Sequence, residues 1–282
     1  MGAIVGVHGI GKYRYYREAG NSVAGAQAAM RAKWDRYLHH GLSGGAPHTG
    51  QRYITEIAYY AHLLGETKDD GGDGGGARAV ERMDAGTQRV LVDWTTQLDA
   101  VGEGLTGALH WLAGRLLERL PEQTARFAAL FAPEVAAYLA AGGEARAGAR
   151  EAVAEVIRRH RPRVVIAHSL GSVVAYETLW ACPELEVELL VTLGSPLGMR
   201  NVVFDHLLPA PVNGRGARPP QVRRWVNIAD RHDIAAIPPG LASCFTGVDH
   251  ERLVDLDRLD FHTVEKYLGC GALGEQLRPY LT

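Results

Sequence analysis

The chain has 282 residues, enough for one large domain or two small ones, and 46% hydrophobic with 22% charged residues is typical of a globular protein. Its 30 basic and 32 acidic residues leave a net charge of −2, too weak a field to favour nucleic acid or an anionic membrane as a partner. Three cysteines without a CxxC pair indicate neither a zinc site nor a disulfide framework, and we expect no metal, nucleotide or redox cofactor.

The N-terminal segment favours a cytoplasmic location. Residues 1–8 are apolar but lack a basic leader and a hydrophobic region of signal length. Further along, no uninterrupted apolar run reaches the roughly 18 residues that a membrane-spanning helix needs. We therefore expect a cytoplasmic protein with no stable membrane insertion.

The first part of the chain predicts a strand, a helix and a second strand. Residues 3–7 form a short apolar run that leads into His8-Gly9-Ile10-Gly11, and a run of this length bounded by glycine is typical of a buried strand. Ser22 is a plausible N-cap for a helix whose apolar residues recur at helical spacing, and Gly41 can close that helix. Residues 53–61 are rich in β-branched and aromatic residues, and we expect this second strand to pair near the first.

The middle of the chain is predicted to be a mobile loop followed by helices. The glycine-rich stretch 71–76 cannot bury enough apolar area to offset its ordering entropy. Nearly everything from 77 to 161 is helix-prone, and one apolar stripe runs through it in steps of three or four residues: Leu105, Leu109, Leu112, Leu116 and Leu120.

Three further strands are predicted after the helical stretch. Residues 164–167 form a continuous apolar run, as expected of a strand covered on both faces in a parallel sheet. The other two lie around residues 189–193 and 222–228. Strands that alternate with helices predict a three-layer α/β domain with a mostly parallel sheet.

The strand at 164–167 leads into a sharp turn and a helix, with Ser169 at the turn. Ala167 and Gly171, two positions to either side, are small enough to let strand and helix approach. Such a turn holds the serine in strained geometry and lifts its hydroxyl clear of the sheet. The N–H of Leu170 then lies at a helix N-terminus, where it can bind a developing oxyanion.

This Ala-His-Ser-Leu-Gly segment resembles the nucleophile elbow of the α/β-hydrolase superfamily, and within it the lipase-like esterases. The alanine in place of the usual first glycine is a mild departure, and other α/β proteins also carry Ser and Gly at a strand-turn-helix. His8-Gly9-Ile10-Gly11 resembles the oxyanion loop of these enzymes, which makes the N–H of Ile10 the second donor. The resemblance implies an α/β-hydrolase fold with a mostly parallel sheet.

The glycines near the first strand leave a second interpretation open. Gly6, Gly9 and Gly11 could cradle the phosphates of a dinucleotide. A reductase of the short-chain type should also carry a tyrosine four residues before a lysine, and none of the four lysines has one: Lys12, Lys33, Lys68 and Lys266. The hydrolase interpretation is therefore favoured.

The superfamily's chain order implies an acid after a late strand and a histidine near the C-terminus. Asp233 is favoured as the acid by resemblance to the D-x-x-D loop of lipase-like relatives. Asp230 stays an alternative that could instead shape the loop by an Asx-type bond. His262 precedes a predicted last helix and is the favoured base, whereas His250 lies among charged residues typical of a solvated surface.

The long interval between the oxyanion loop and the elbow implies an insertion. We predict a hydrolase core over 1–76 and 141–282, with 77–140 as a helical insertion or cap in which Trp94 and Trp111 either line an acyl pocket or pack on the body. Ser195 is a weaker nucleophile candidate because a proline follows it and removes the N–H that would bind the oxyanion.

The resemblance implies a small-molecule substrate, a carboxylic ester or thioester with an apolar acyl group. The same machinery also supports acyl transfer or cyclisation, and a catalytically silent binding module is the alternative from another class.

Overall fold

The computed structural model describes residues 2–43, 53–66, 83–101, 122–140, 143–256 and 262–281. Within these ranges, six parallel strands form the central sheet in the order β2-β1-β3-β4-β6-β8. Their bounds are Gly2–Val7 (β1), Tyr53–Ala58 (β2), Val164–His168 (β3), Val187–Leu193 (β4), Val222–Asp230 (β6) and His250–Val254 (β8). Two short strands, Gly216–Ala217 (β5) and Phe245–Thr246 (β7), pair separately.

Nine α-helices lie in the described part of the chain. Three of them (α2, α8 and α9) belong to the apolar cluster on one face of the sheet and four (α4 to α7) to the cluster on the other face, where α6 and α7 contact the strands. The bounds are Tyr13–Glu18 (α1), Val23–Ser43 (α2), Ala61–Leu64 (α3), Ala85–Val101 (α4), Glu122–Leu139 (α5), Glu144–His160 (α6), Leu170–Ala181 (α7), Val264–Leu268 (α8) and Gly271–Leu277 (α9).

The two faces follow from the alternation of side chains along each strand. In β1, Ile4 joins the cluster beneath α2, while Val5 joins the cluster beneath α5 and α7. Every residue of β3 is buried, as expected for a central strand covered by helices on both sides. The predicted α/β class with a mostly parallel sheet is thus confirmed.

The predicted element boundaries hold in part. Ser22 caps α2, because its Oγ accepts a hydrogen bond from the N–H of Gly25 at 3.1 Å. Gly41 does not end that helix, which continues to Ser43; a Cβ at position 41 would lie 2.5 Å from the carbonyl oxygen of Leu268. The glycine permits close packing on α8. The second strand stops at Ala58, three residues earlier than predicted, and α3 follows.

The predicted helical insertion is described only in its outer parts. Trp94 of α4 and Phe131 of α5 belong to the same apolar cluster as Val5 and Leu170, and α4 packs chiefly against α5. The glycine-rich stretch 71–76, the leucine stripe and Trp111 lie outside the described residues. The division into core and insertion therefore stays a prediction. None of the helices that the structure describes is long and apolar enough to cross a bilayer.

The sheet order changes direction between β1 and β3. From β1 the chain first adds β2 on one side and later adds β3 on the other. The carboxyl ends of two such strands open a crevice at the edge of a parallel sheet, which is where α/β proteins bind ligands. His8 and Ser169 follow these two strand ends.

Candidate active site

Ser169 occupies a strained turn between β3 and α7. Its φ of 55° and ψ of −133° lie in a region that residues with a side chain rarely adopt. The helix begins immediately afterwards at Leu170. A Cβ on Gly171 would lie 2.3 Å from the carbonyl oxygen of His8, so the turn requires glycine there. The serine is therefore held by tightly packed backbone from two strand ends.

A continuous chain of hydrogen bonds joins Ser169, His262 and Asp233. Nε2 of His262 lies 2.7 Å from Oγ of Ser169, and Nδ1 lies 2.8 and 2.9 Å from the two carboxylate oxygens of Asp233. A carboxylate only accepts hydrogen bonds, so Nδ1 carries the proton and Nε2 is left to accept from the serine hydroxyl. Ser169 and Asp233 are buried, and the His262 side chain is 10% exposed.

The structure brings Asp233, and not Asp230, to the histidine. Asp233 also accepts hydrogen bonds from the hydroxyl of Tyr267 at 2.6 Å and from the N–H of Ala235 at 2.9 Å. Asp230 accepts from the N–H of His232 at 2.7 Å, which is the Asx-type bond that shapes a loop.

Tyr267, in the helix that follows His262, is a site residue that was not among those predicted from the sequence. Its hydroxyl donates to Asp233 and accepts from the N–H of Asp230 at 2.8 Å, so it bridges the two aspartates. Burial and the neighbouring Asp233 carboxylate raise the pKa of Tyr267 well above its usual value. The phenol therefore stays protonated and keeps the carboxylate oriented. No sequence signal distinguishes it from an ordinary apolar contact.

The loop after β1 lies directly against the serine. A Cβ on Gly9 would fall 2.5 Å from Cβ of Ser169, so only glycine allows this approach. His8 accepts a hydrogen bond at Nε2 from the N–H of Tyr60 at 3.1 Å, which leaves Nδ1 to donate to the carbonyl of Gly9 at 2.8 Å. In a planar trans peptide the C=O and the following N–H point in opposite directions. His8 therefore fixes the direction of the N–H of Ile10.

The two N–H groups predicted as oxyanion donors flank this arrangement. Leu170 is the first residue of α7, and the first N–H groups of a helix have no partner within it. Ile10 follows the Gly9 carbonyl held by His8. Within the described part of the chain, neither N–H donates to another group of the protein. Their role as donors stays a prediction.

Aromatic rings surround the His262 imidazole. The ring of Phe127 from α5 meets it edge-on with centroids 4.9 Å apart, and the buried His168 ring lies 4.8 Å away. Burial and the neighbouring His262 lower the pKa of His168 well below its usual value. Burial likewise lowers the pKa of His8 to about 3, so both imidazoles are neutral.

We expect these two neutral histidines to make the fold sensitive to acid. Below the ordinary histidine pKa of about 6.5 the unfolded chain binds a proton at each, while folded His8 does not until about pH 3. The unfolded state then binds more protons than the folded state. The free energy of unfolding therefore decreases as the pH is lowered below about 6.5, by about 1.4 kcal/mol per pH unit for each histidine. Urea unfolding between about pH 7.5 and 5 measures this slope.

His168→Phe provides the matched comparison, since it keeps a buried ring but cannot titrate. We expect its slope to be smaller than that of the natural chain by about 1.4 kcal/mol per pH unit. An unchanged slope would show that His168 is not held neutral.

The remaining polar candidates lie outside the hydrogen-bonded chain of Ser169, His262 and Asp233. Oγ of Ser195 lies 2.6 Å from Oγ of Ser172 and accepts from the N–H of Leu197, as expected of a residue that builds a turn. His250 opens the edge strand β8. Among the residues that the structure describes, no group of three or more His, Cys, Asp or Glu side chains is arranged to hold a metal ion.

Comparisons of the chain with known protein families, curated proteins and solved structures found no match. A function is therefore inferred from the geometry of the site and from the resemblance of its motifs.

Proposed function

We propose that this protein is a serine hydrolase of the α/β-hydrolase type, which cleaves a carboxylic ester or thioester through an acyl-enzyme on Ser169. One observation carries the proposal: a buried carboxylate, an imidazole and a serine hydroxyl follow one another at 2.7 to 2.9 Å. The serine also lies on a strained strand-to-helix turn. This combination fits nucleophilic catalysis at a carbonyl.

In the first half of the reaction, Oγ of Ser169 attacks the carbonyl carbon and its proton passes to Nε2 of His262. Asp233 holds the imidazole in the required tautomer and stabilises the imidazolium. The tetrahedral intermediate collapses when the carbon–oxygen or carbon–sulfur bond breaks, and the leaving group takes the proton from Nε2. The second half repeats these steps with water as the nucleophile and releases the acid.

The negative charge of the tetrahedral intermediate needs donors beside the serine. The N–H groups of Ile10 and Leu170 are suited to this role, because each lies in backbone adjacent to Ser169 and donates to no other described group. An oxyanion donor of this kind contributes about 3 kcal/mol to the transition state.

The surroundings of His262 favour an apolar substrate. Phe127 contacts the imidazole and also the rings of Phe131 and Trp94, with centroids 5.2 and 5.9 Å away. Trp94 in turn donates its indole N–H to the carbonyl of Ile234 in the loop that carries Asp233. An aromatic wall of this kind suits an aliphatic or aromatic acyl chain better than a charged one.

Labelling with a fluorophosphonate probe tests the proposal directly. We expect the natural protein to react covalently and Ser169→Ala to remain unlabelled, with Ser195→Ala as the matched control that reacts at the natural rate. A chain-length panel of nitrophenyl esters and acyl thioesters then defines the substrate. A folded natural protein that neither reacts nor hydrolyses any panel member would favour the binding module instead.

A further inference from the structure

The Ile10 residue lies between two peptide groups, each held by a side chain. The peptide before it is fixed by His8, which donates to the Gly9 carbonyl. The peptide after it carries the N–H of Gly11, which donates to Oε1 of Glu134 at 2.8 Å. Hydrogen bonds to side chains therefore hold the peptide groups on both sides of Ile10.

Glu134 reaches the loop from a different layer of the molecule. It belongs to α5 and is separated from Gly11 by 123 positions in the chain. The residue is only 2% exposed, and a hydrogen bond to a buried carboxylate is stronger than one between neutral groups. Gly11 has a φ of 71°. Glycine adopts positive and negative φ values about equally readily, so its own backbone preference does not fix this conformation.

The same helix contacts both halves of the site. The ring of Phe127, a residue of α5, lies against the His262 ring. Glu134, two turns further on, holds the loop, and Leu130 between them lies 3.6 Å from the position of a Cβ on Gly11. Helix α5 thus contacts both the His262 ring and the loop residue that follows Ile10.

We propose, on the basis of the hydrolase function above, that Glu134 is a positioning residue that holds the oxyanion loop in its working conformation. The carboxylate touches no reacting atom. It acts by holding the Ile10–Gly11 peptide on one side of Ile10, while His8 holds the Gly9–Ile10 peptide, which carries the N–H of the proposed donor, on the other side. Without the hydrogen bond from Gly11 to Glu134, the loop that carries the N–H of Ile10 can shift its position. A misplacement of about 1 Å at such a site costs about 100-fold in rate.

Three variants separate the anchor from other roles of the side chain. Glu134→Gln keeps an acceptor oxygen at the same reach, and we expect a kcat close to that of the natural protein. Glu134→Leu removes the acceptor, and Glu134→Asp keeps the charge but withdraws it by one methylene. Both are expected to lower kcat for a nitrophenyl ester by about 10- to 100-fold, with KM nearly unchanged.

An alkyl trifluoromethyl ketone supplies a readout that a merely structural role would not move. Oγ of Ser169 forms a bond to the ketone carbon, its proton passes to Nε2 of His262, and the carbonyl π electrons go to the oxygen, so the hemiketal carries an oxyanion in the donor pocket. The inhibition constant should therefore rise in the Leu and Asp variants by the same factor as kcat falls. Tyr138→Phe is the control: it removes a buried hydrogen bond to Glu177 from the same helix. We expect it to lower stability but to leave kcat and the inhibition constant unchanged.

The outcomes distinguish this inference from the function it rests on. If the natural protein hydrolyses no ester and resists the fluorophosphonate, the proposed function fails. If the natural protein is active, the inference is overturned when folded Glu134→Asp or Glu134→Leu keeps the natural kcat, when only KM changes, or when Glu134→Gln loses as much as Glu134→Leu. The Asp variant keeps the test decisive should the Leu variant not fold.

Discussion

Replacement of His262 by alanine is expected to lower kcat for an ester substrate by about 10⁴- to 10⁶-fold. The serine hydroxyl is almost fully protonated at neutral pH, and Nε2 of His262 is the group 2.7 Å from it that can take the proton. Without the imidazole, neither attack nor protonation of the leaving group has a catalyst. Steady-state kinetics with a nitrophenyl ester, together with circular dichroism to verify folding, measure the loss.

Two further variants sharpen this result. Asp233→Asn should cost about 10⁴-fold, because an amide can donate to Nδ1 and thereby favour the wrong tautomer. His250→Ala removes a histidine from strand β8 and should leave kcat unchanged. A folded His262→Ala protein with kcat within about tenfold of the natural value would remove the basis of the hydrolase proposal.

Replacement of Arg146 by methionine is expected to reduce the free energy of unfolding by about 3–5 kcal/mol. Its guanidinium pairs with Glu177, whose side chain is completely buried, and Nε donates to Glu177 at 2.8 Å. Glu177 also accepts from Tyr138 of α5 and from the N–H of Leu208. The methionine would leave a buried carboxylate without its counter-ion, and that carboxylate lies on the helix that begins at the elbow.

Urea unfolding of matched variants tests this expectation. Arg158→Met breaks exposed pairs with Glu151 and Glu184 and should change the free energy of unfolding by at most about 1 kcal/mol. The double variant Arg146→Met/Glu177→Leu should recover part of the loss, because it removes the stranded charge. A loss for Arg146→Met no greater than for Arg158→Met would contradict the importance of the buried pair.

The parts of the fold that could be predicted have local causes. Strands β1 and β3 contain the continuous apolar runs 3–7 and 164–167, and the Ser169 turn has its small neighbours within two positions. Strand β8 was missed because its residues His250 to Arg252 are charged or polar, as an edge strand permits. The predicted end of α2 at Gly41 was wrong because that glycine serves a tertiary contact with Leu268.

Some residues of the candidate site could likewise be predicted from the sequence, and others could not. Its serine and histidine could be named from motif and chain order, whereas the spacing of Asp230 and Asp233 could not decide between them. The choice depends on the path of the loop after β6, which Tyr267 holds from 34 positions away. Glu134 follows Pro133 inside α5 and belongs to no recognised motif, and only the position of α5 beside the loop after β1 reveals its contact with Gly11.

The central position of β1 has a consequence for how the chain is made. This strand pairs with β3 along one edge, and β3 begins only at Val164. A polypeptide leaving the ribosome therefore exposes an apolar strand with one open edge until more than half of the chain has been synthesised. Such an edge can pair with another nascent chain, and a molecular chaperone that shields the first residues would raise the yield of folded protein.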